Sequence, residues 1–313
     1  MNDKIKQKVL VTGSSGFLGS HIVDALYDRG YEIILFDKHP SPYKQKGYKE
    51  ILGDILNTED INKAIKGCQF VYHFAGQADI DSSSSSPTQT IQTNIMGTQN
   101  VLEASRQHNV NRVLFASTVY VYSELGSFYR VSKQACEKMI EEYQKEFGLP
   151  YTILRYGSLY GPRANEFNSI SNMLVQALRD KMIVRRGDGE EIREYIHVKD
   201  AAQLSTQLLK EEYANKNLVI TGTQKLRIKD LLQMIKEIFQ GTIKIKYTNE
   251  KELHHYEITP YAYRPQVSSK IMPQKHYDLG QGLLDLIYDL EEQLENNRIP
   301  LKISLRKRKR DNS

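Results

Sequence analysis

Tyr129 and Lys133 stand four positions apart and are the residue pair of this chain best suited to proton transfer. On a helix, both side chains would share one face. A lysine ammonium close to a phenol, helped by a further positive charge at the site, lowers the phenol pKa, so that the phenolate can take a proton from a substrate hydroxyl. Thr118, at the end of the preceding apolar run, could hydrogen-bond the same hydroxyl. These three residues are the predicted catalytic set.

The spacing alone is weak evidence, because the chain is rich in Tyr and Lys. Tyr195 with Lys199 and Tyr247 with Lys251 match the same spacing. The first pair is distinguished by its position, directly after an apolar strand and at the start of an amphipathic segment that continues to Phe147. That position is where a catalytic pair would be held firmly.

A glycine-rich turn precedes this pair in the chain. Gly13, Gly16 and Gly19 follow the apolar run Val9–Val11 and lead into a segment with helical spacing of apolar residues. A strand that ends in such a turn and opens a helix brings backbone N–H groups and a helix N-terminus against a pyrophosphate. The turn therefore predicts a bound dinucleotide.

Asp37 favours NAD over NADP as that dinucleotide. It ends the next apolar run, 18 residues after Gly19, where a carboxylate can accept both hydroxyls of the adenosine ribose. A turn residue at a strand end is the alternative interpretation of Asp37. Lys38 and His39 beside it leave a 2′-phosphate possible.

Apolar strands alternate with amphipathic helices through the first half of the chain, which predicts an α/β fold with a Rossmann-type, doubly wound parallel sheet. A smaller C-terminal α/β lobe should follow. The predicted division is a dinucleotide-binding domain over 1–163, to which elements of about 193–221 return; a substrate lobe over 164–192 and 222–300; and a disordered tail over 301–313. The serine run Ser82–Ser86 is predicted to be a loop on the cofactor side, either a flexible surface loop or a substrate contact.

Composition excludes several classes of protein. The net charge of the 313 residues is +5, but five positive charges lie in 306–310, so the body has no basic footprint for nucleic acid. Two cysteines are too few for a disulfide framework. No apolar run has membrane-spanning length, no leader is visible, and no metal-ligand spacing occurs. These features predict a cytoplasmic protein without a metal.

These motifs together resemble those of the extended short-chain dehydrogenases/reductases, in the NAD-dependent epimerase/dehydratase family and especially its nucleotide-sugar enzymes. The resemblance spans nearly the whole chain. The glycine motif and Thr118 carry the resemblance. Five further stretches also match: Asp54-Ile55, His73-FAG, Asn94-IMGT, Arg155-YGSLYGPR and Gly187-DGEEIREYIHVKD.

The resemblance implies roles for individual residues and a nucleotide diphosphate sugar as substrate. It also implies a homodimer packed through helices near 94–107 and 129–147. Cofactor contacts are expected from Gly13, Gly16, Phe17, Leu18, Gly19, Asp37, Lys38, Asp54, Ile55, Phe74, Ala75, Gly76, Asn94, Tyr129, Lys133 and Tyr156. Substrate contacts are expected from Ser82, Ser83, Thr118, Ser158, Asn172, Arg193 and Arg264.

Departures from the family pattern limit the reactions that the chain is expected to catalyse. Dehydratases of the family carry an acidic pair directly after the catalytic Thr, and decarboxylases keep a Glu there; this chain has Val119 and Tyr120. The remaining machinery suffices for oxidation of C4 to a ketone and re-reduction on the other face, so 4-epimerisation is the leading hypothesis. A 4-oxidase or 4-ketoreductase, a dehydratase or decarboxylase, and a non-catalytic NAD-binding regulator are the alternatives.

Two further departures concern the shape of the site. Tyr129 follows Thr118 by 11 positions, about half the span usual in the family, which predicts an unusually open site. Ser158 stands where many relatives have an Asn that contacts the diphosphate. The identity of the sugar therefore does not follow from any one relative.

Overall fold

The computed structural model describes residues 7–45, 47–250, 255–260, 269–271 and 277–295. Its strands are β1 Lys8–Thr12, β2 Glu32–Asp37, β3 Lys49–Leu52, β4 Phe70–His73, β5 Arg112–Thr118, β6 Tyr151–Tyr156, β7 Ser158–Tyr160, β8 Met182–Arg186, β9 Ile192–His197, β10 Lys216–Ile220, β11 Lys225–Arg227, β12 Lys244–Thr248 and β13 Ser269–Ile271. Its α-helices are α1 Phe17–Asp28, α2 Thr58–Ile65, α3 Ile80–Ser85, α4 Pro87–Ile91, α5 Gly97–Gln107, α6 Ser127–Phe147, α7 Ser169–Asp180, α8 Val198–Gln207, α9 Ile228–Ile238 and α10 Leu279–Glu295.

Eight of the strands form one parallel sheet in the order β13-β10-β6-β5-β4-β1-β2-β3. The central strands are almost completely buried because helices cover both faces. These helices contribute to two apolar clusters. The first contains residues of α1 and α8, and the second contains residues of α2, α5 and α6. The predicted doubly wound fold is confirmed.

The carboxyl ends of five strands meet at one edge of the sheet. Thr12 at the end of β1 pairs with both Phe36 in β2 and His73 in β4, and Thr118 at the end of β5 pairs with Tyr156 in β6. The strand order reverses between β1 and β4, and open α/β sheets bind ligands at such a switch point. The sheet thus brings the glycine turn and the predicted catalytic strand to the same edge.

A third apolar cluster forms the core of a smaller lobe. It joins α7, α9 and α10 with β7 and β8, for example through Leu174, Leu231 and Leu286. β8 pairs with β12, and β9 pairs with β7 and β11 in a three-stranded sheet. Of the segment 193–221, α8 and β10 therefore belong to the main domain, whereas β9 does not join the main sheet.

Two local expectations need correction. The serine run was predicted to be a loop, but residues 82–85 belong to α3, whose first turn is capped by the Asp79 carboxylate. Side-chain oxygens of Asp79 accept from the backbone N–H groups of Asp81 and Ser82, which satisfies donors that a helix otherwise leaves unpaired. The helix expected near 94–107 begins earlier, because α4 and a π-helical turn at Gln92–Met96 lead directly into α5.

Candidate active site

The glycine turn is packed so tightly that side chains would not fit. Gly13 has φ +72°, and a Cβ there would lie 2.6 Å from the backbone nitrogen of Ala75. A Cβ at Gly19 would lie 2.0 Å from the carbonyl oxygen of Gly13. The turn, the start of α1 and the end of β4 can therefore approach one another only because these residues are glycines. Gly13, Gly16, Phe17, Leu18 and Gly19 all line the central cleft.

Asp37 is fixed beside this turn by its own hydrogen bonds. Its two carboxylate oxygens accept from the backbone N–H groups of Ser15, at 3.0 Å, and His39, at 3.2 Å. The side chain also lines the cleft, where an adenosine ribose would lie. Lys38 forms an ion pair of 2.9 Å with Asp54, whose pKa is lowered. The residues present therefore fit a dinucleotide with a free 2′-hydroxyl.

Asp37→Ala is expected to weaken NAD binding by about tenfold or more, since a hydrogen bond to a charged group contributes about 1.5–3 kcal/mol. The preference for NAD over NADP should fall with it, because the repulsion between the carboxylate and a 2′-phosphate is lost. Calorimetric titration of both cofactors measures these changes. Asp37→Asn, which keeps an acceptor for the Ser15 N–H, separates the loss of charge from damage to the turn. Unchanged NAD affinity in Asp37→Ala would contradict the assignment.

The end of β4 is held by a buried relay of polar groups. The Thr12 hydroxyl and His73 Nδ1 are 2.8 Å apart, and His73 Nε2 and the Thr98 hydroxyl are 3.0 Å apart. Burial lowers the pKa of His73 to about 3, so the imidazole is neutral and serves as a structural link. The backbone N–H of Ala75 donates to the Thr12 hydroxyl at 3.2 Å. Phe74, Ala75 and Gly76 are thereby presented to the cleft.

Asn94 supports this strand end from behind. Its side-chain oxygen accepts from the backbone N–H of Gln77 at 2.7 Å, and its amide group donates to the carbonyl of Gln77 and to the hydroxyl of Ser132. Asn94 is 2% exposed and is not among the described residues that line the cleft. It joins the segment after β4 to α6, which is a positioning role.

The three predicted catalytic residues meet at the edge of the sheet. Thr118 ends β5, and Tyr129 and Lys133 lie in the first two turns of α6. Thr118 lies near enough to Tyr129 for a side-chain hydrogen bond that lowers the pKa of the phenol. The Lys133 ammonium donates to the carbonyl oxygen of Ala116 at 2.7 Å and lies 5.9 Å from the centroid of the Tyr129 ring. All three line the cleft.

Burial has the largest effect on the pKa values of Tyr129 and Lys133. Burial raises the pKa of Tyr129 to about 12, although the hydrogen bond with Thr118 acts in the opposite direction. Burial lowers the pKa of Lys133 to about 8, a value at which the side chain remains mainly an ammonium at neutral pH. The lysine therefore does not by itself lower the phenol pKa below its usual value. Ionisation of Tyr129 near neutral pH needs a further positive charge in the cleft.

A buried ion pair stands behind these residues. Glu137 lies one turn beyond Lys133 on α6, and its carboxylate accepts from Nε and Nη2 of Arg155 at 2.9 and 2.7 Å. The Ser117 hydroxyl also donates to Glu137, and Arg155 donates to the hydroxyl of Tyr122. The network ties β5, β6 and α6 together directly behind the catalytic set.

The cleft has a volume of about 1290 Å³ and extends from the glycine turn to the smaller lobe. This is more than one drug-sized ligand occupies, and it leaves room for a dinucleotide and a second substrate. Ile55, Tyr156 and the predicted substrate contacts Ser158, Asn172 and Arg193 line it.

Some of the predicted substrate and cofactor contacts are not among the residues that line the cleft. Ser83 is fully buried, and its hydroxyl donates to the carbonyl of Asp79; Ser82 bonds the Asp79 carboxylate. Neither is among the described residues of the cleft, and Asp54 is not either. Arg264 and the basic tail lie outside the described residues. A substrate role for Ser82 and Ser83 has no support in this placement, because their hydroxyls are used within α3.

Several residues of the cleft escaped the sequence analysis. Arg185 and Arg186 line it at the end of β8, where they add positive charge beside Arg193. Arg185 also pairs with Glu191 at 2.7 Å. His255 lines the cleft from a segment with no recognisable motif. Near β8, the only recognisable feature of the sequence was the charged motif Gly187-DGEE, which indicated a turn.

The short connection between Thr118 and α6 packs against the smaller lobe. Residues 119–122 form a 3₁₀ turn, and Val119 packs in a cluster with Tyr256 from the smaller lobe. Tyr256 is 5% exposed and lies against Tyr120 with 4.6 Å between ring centroids. The openness of the site stays a prediction.

Within the described ranges, no three His, Cys, Asp or Glu side chains are arranged to hold a metal ion. Across the same part of the chain, no helix has the length and apolar character needed to cross a bilayer.

The model of the NAD dependent epimerase/dehydratase family matches residues 9–221. Because this is more than half of the chain, the protein belongs to that family. The predicted family and its NAD cofactor are thereby confirmed, and the glycine turn and Asp37 provide a matching site.

Individual relatives act on nucleotide sugars in different ways. An uncharacterized UDP-glucose epimerase of Bacillus subtilis is 29% identical over 74% of this chain and 82% of its own length. A UDP-N-acetyl-alpha-D-glucosaminuronate decarboxylase of Bacillus cytotoxicus is 27% identical over 94% of this chain and all of its own. The crystal structure of UDP-glucose 4-epimerase with UDP-glucose from Thermotoga maritima has a TM-score of 0.80 at 25% identity and covers 92% of this chain and 100% of that one. The protein is therefore an enzyme of a family that acts on nucleotide sugars.

Proposed function

We propose that this protein is an NAD-dependent nucleotide-sugar 4-epimerase with a UDP-sugar as substrate. The observation that carries the proposal is that Thr118, Tyr129 and Lys133 line the same cleft as the glycine turn and Asp37. No carboxylate directly follows Thr118, which favours epimerisation at C4 over loss of water or CO₂. UDP is chosen because the similar proteins above are named for UDP-sugars.

The residues of the chain would act mainly on the C4 hydroxyl. Tyr129 takes the hydroxyl proton, and Thr118 hydrogen-bonds the oxygen throughout. Lys133 holds a positive charge close to the phenolate. Oxidised NAD, held by the glycine turn and Asp37, would supply a second positive charge and a centre that exchanges a hydride with C4. Tyr129 gives its proton back to the C4 oxygen when the ketone is reduced.

Binding of the nucleotide part is assigned to the smaller lobe. Arg193 is 7% exposed and lies over the ring of Tyr256 at 4.3 Å, and Arg185 and Arg186 line the same end of the cleft. Guanidinium groups suit a diphosphate because each can donate in a forked geometry. Asn172 from α7 and Ser158 from β7 add neutral polar groups there.

The test is product analysis with the purified full chain and added NAD. UDP-glucose, UDP-N-acetylglucosamine and UDP-glucuronic acid are incubated separately, alongside GDP-, CDP- and dTDP-glucose, and products are identified by NMR while NADH absorbance is followed. We expect at least one UDP-sugar to be inverted at C4 without net accumulation of NADH. A ketosugar formed with equal amounts of NADH would instead show an oxidase. Loss of water or CO₂ would show a dehydratase or decarboxylase, and either outcome would overturn the proposal.

The predicted homodimer stays a prediction. Met96, Val131 and Phe147 are 50%, 43% and 56% exposed in the single chain and lie in or beside the helices proposed as the interface. Apolar side chains of this size are the kind that a helix-to-helix interface buries. The cytoplasmic location likewise stays a prediction.

A further inference from the structure

Tyr120 and His255 form a hydrogen-bonded pair inside the cleft. The Tyr120 hydroxyl lies 2.7 Å from His255 Nδ1, and both residues line the cleft. The ring of Tyr120 meets the ring of Tyr129 edge-on, with 6.4 Å between centroids. A second phenol, bonded to an imidazole, is therefore the direct neighbour of the phenol assigned to C4 chemistry.

The position of Tyr120 is set by its own segment. Thr118 accepts a hydrogen bond from the backbone N–H of Tyr120 at 3.2 Å, which starts the 3₁₀ turn. On the other side, a Cβ at Gly126 would lie 2.7 Å from the Tyr120 ring. Gly126 has φ +104°, and only a glycine gives the ring this room. The ring is thus held between the end of β5 and the start of α6.

The position of His255 is set by the smaller lobe. The next residue, Tyr256, is buried between the Tyr120 ring and the guanidinium of Arg193. The carbonyl of Glu257 accepts from the backbone N–H of Ile192 at 2.7 Å, which fixes the segment to β9. His255 is therefore presented to Tyr120 by an anchored stretch of backbone.

We propose that Tyr120 and His255 are a second acid–base pair, which moves a proton to and from a carbon next to C4 once C4 is a ketone. The inference rests on the proposed C4 chemistry, because that ketone is what makes the neighbouring C–H bonds acidic. Imidazole is the side chain best suited to accept a proton near neutral pH, and both side chains line the cleft in which the substrate would lie.

The proton step balances without a further reagent. The C–H bond next to the ketone breaks, and its proton passes to the Tyr120 oxygen as the Tyr120 proton passes to His255 Nδ1. The electron pair forms an enolate whose negative charge lies on the C4 oxygen, where Thr118 donates a hydrogen bond. Reversal returns a proton to the carbon. Return on the same face exchanges the hydrogen with solvent, and return on the other face inverts that carbon.

This inference revises an expectation from the sequence. Val119 and Tyr120 replace an acidic pair, and Tyr120 alone cannot act as an acid near neutral pH. The partner that changes this, His255, is 135 positions away in the chain. In place of an acidic pair, the chain thus has a phenol and an imidazole as proton-transfer groups close to Thr118.

Solvent exchange tests the pair separately from C4 oxidation. The full chain with oxidised NAD is incubated in D₂O with UDP-4-keto-6-deoxy-D-glucose, which already carries the ketone, and deuterium at C3 and C5 is followed by NMR and mass spectrometry. We expect exchange at least ~10³-fold faster than without enzyme. Tyr120→Phe and His255→Gln should each slow the enzymatic exchange by about 10²-fold. The matched changes outside the cleft, Tyr288→Phe and His108→Gln, should not slow it.

The outcomes separate the two proposals. Exchange no faster than in enzyme-free solution, or exchange in folded Tyr120→Phe equal to that of the unchanged protein, overturns the acid–base pair. Exchange that depends on Tyr120 in a protein that oxidises no nucleotide sugar at C4 overturns the proposed function and leaves the pair standing. Two variants on different segments guard against a folding defect in one of them, and thermal unfolding of each identifies such a defect.

Discussion

Tyr129→Phe is expected to lower C4 turnover by about 10²–10⁴-fold, the usual contribution of a positioned acid or base. The change removes one oxygen atom and keeps the ring, so the contacts of Tyr129 with Tyr120 and with Lys133 remain possible. Steady-state turnover of the active UDP-sugar measures the loss, and titration of NAD shows whether the cofactor still binds. We expect NAD affinity to change by less than about threefold.

The raised pKa of Tyr129 means that its action as a base depends on positive charge nearby. A phenol with a pKa of about 12 is protonated near neutral pH unless positive charge approaches it. Lys133, with a pKa lowered to about 8, loses part of its charge as the pH rises through that value. Turnover that persists in Tyr129→Phe would mean that another group takes the C4 proton, and the mechanism would be wrong. Tyr288→Phe, at a side chain 66% exposed, is the matched control.

The glycine turn, Asp37 and the catalytic set were predictable because their signals are local. Gly13 and Gly19 are set by contacts within one strand–turn–helix unit, and Tyr129 and Lys133 are neighbours on one helix. Parallel strands then bring their carboxyl ends together whatever the details of the loops. The doubly wound parallel sheet follows from the alternation of strands and helices.

The errors arose where distant contacts override local composition. The serine run looks like a loop, yet Asp79 caps it and the Ser83 hydroxyl bonds back to the helix backbone. The spacing of Tyr129 and Lys133 gives their proximity but not their burial, and burial has the larger influence on the phenol pKa. His255 has no motif around it, so only the packing of the lobe against the 3₁₀ turn reveals its place beside Tyr120.

Arg155→Met is expected to lower the free energy of unfolding by about 3–5 kcal/mol, because it leaves the Glu137 carboxylate buried without its charged partner. The two side chains are only 4% and 5% exposed. Urea unfolding followed by circular dichroism measures the loss. Lys145→Met, which breaks the exposed ion pair with Glu142, is the matched control and should leave the unfolding midpoint unchanged. A loss in Arg155→Met as small as in that control would show that the buried pair is not a stabilising element of the sheet.

The double change Arg155→Met with Glu137→Leu separates stability from the placement of catalytic groups. Removing both charges together avoids the unpaired carboxylate, so most of the lost stability should return. The Ser117 hydroxyl would still lose its hydrogen bond to Glu137, and Tyr122 would lose the one from Arg155; Ser117 immediately precedes Thr118. We therefore expect turnover of the double variant to stay at least tenfold below that of the unchanged protein while KM changes little, because the geometry between Thr118 and Tyr129 has been loosened. Full recovery of both stability and turnover would show that the network serves only to hold the fold together.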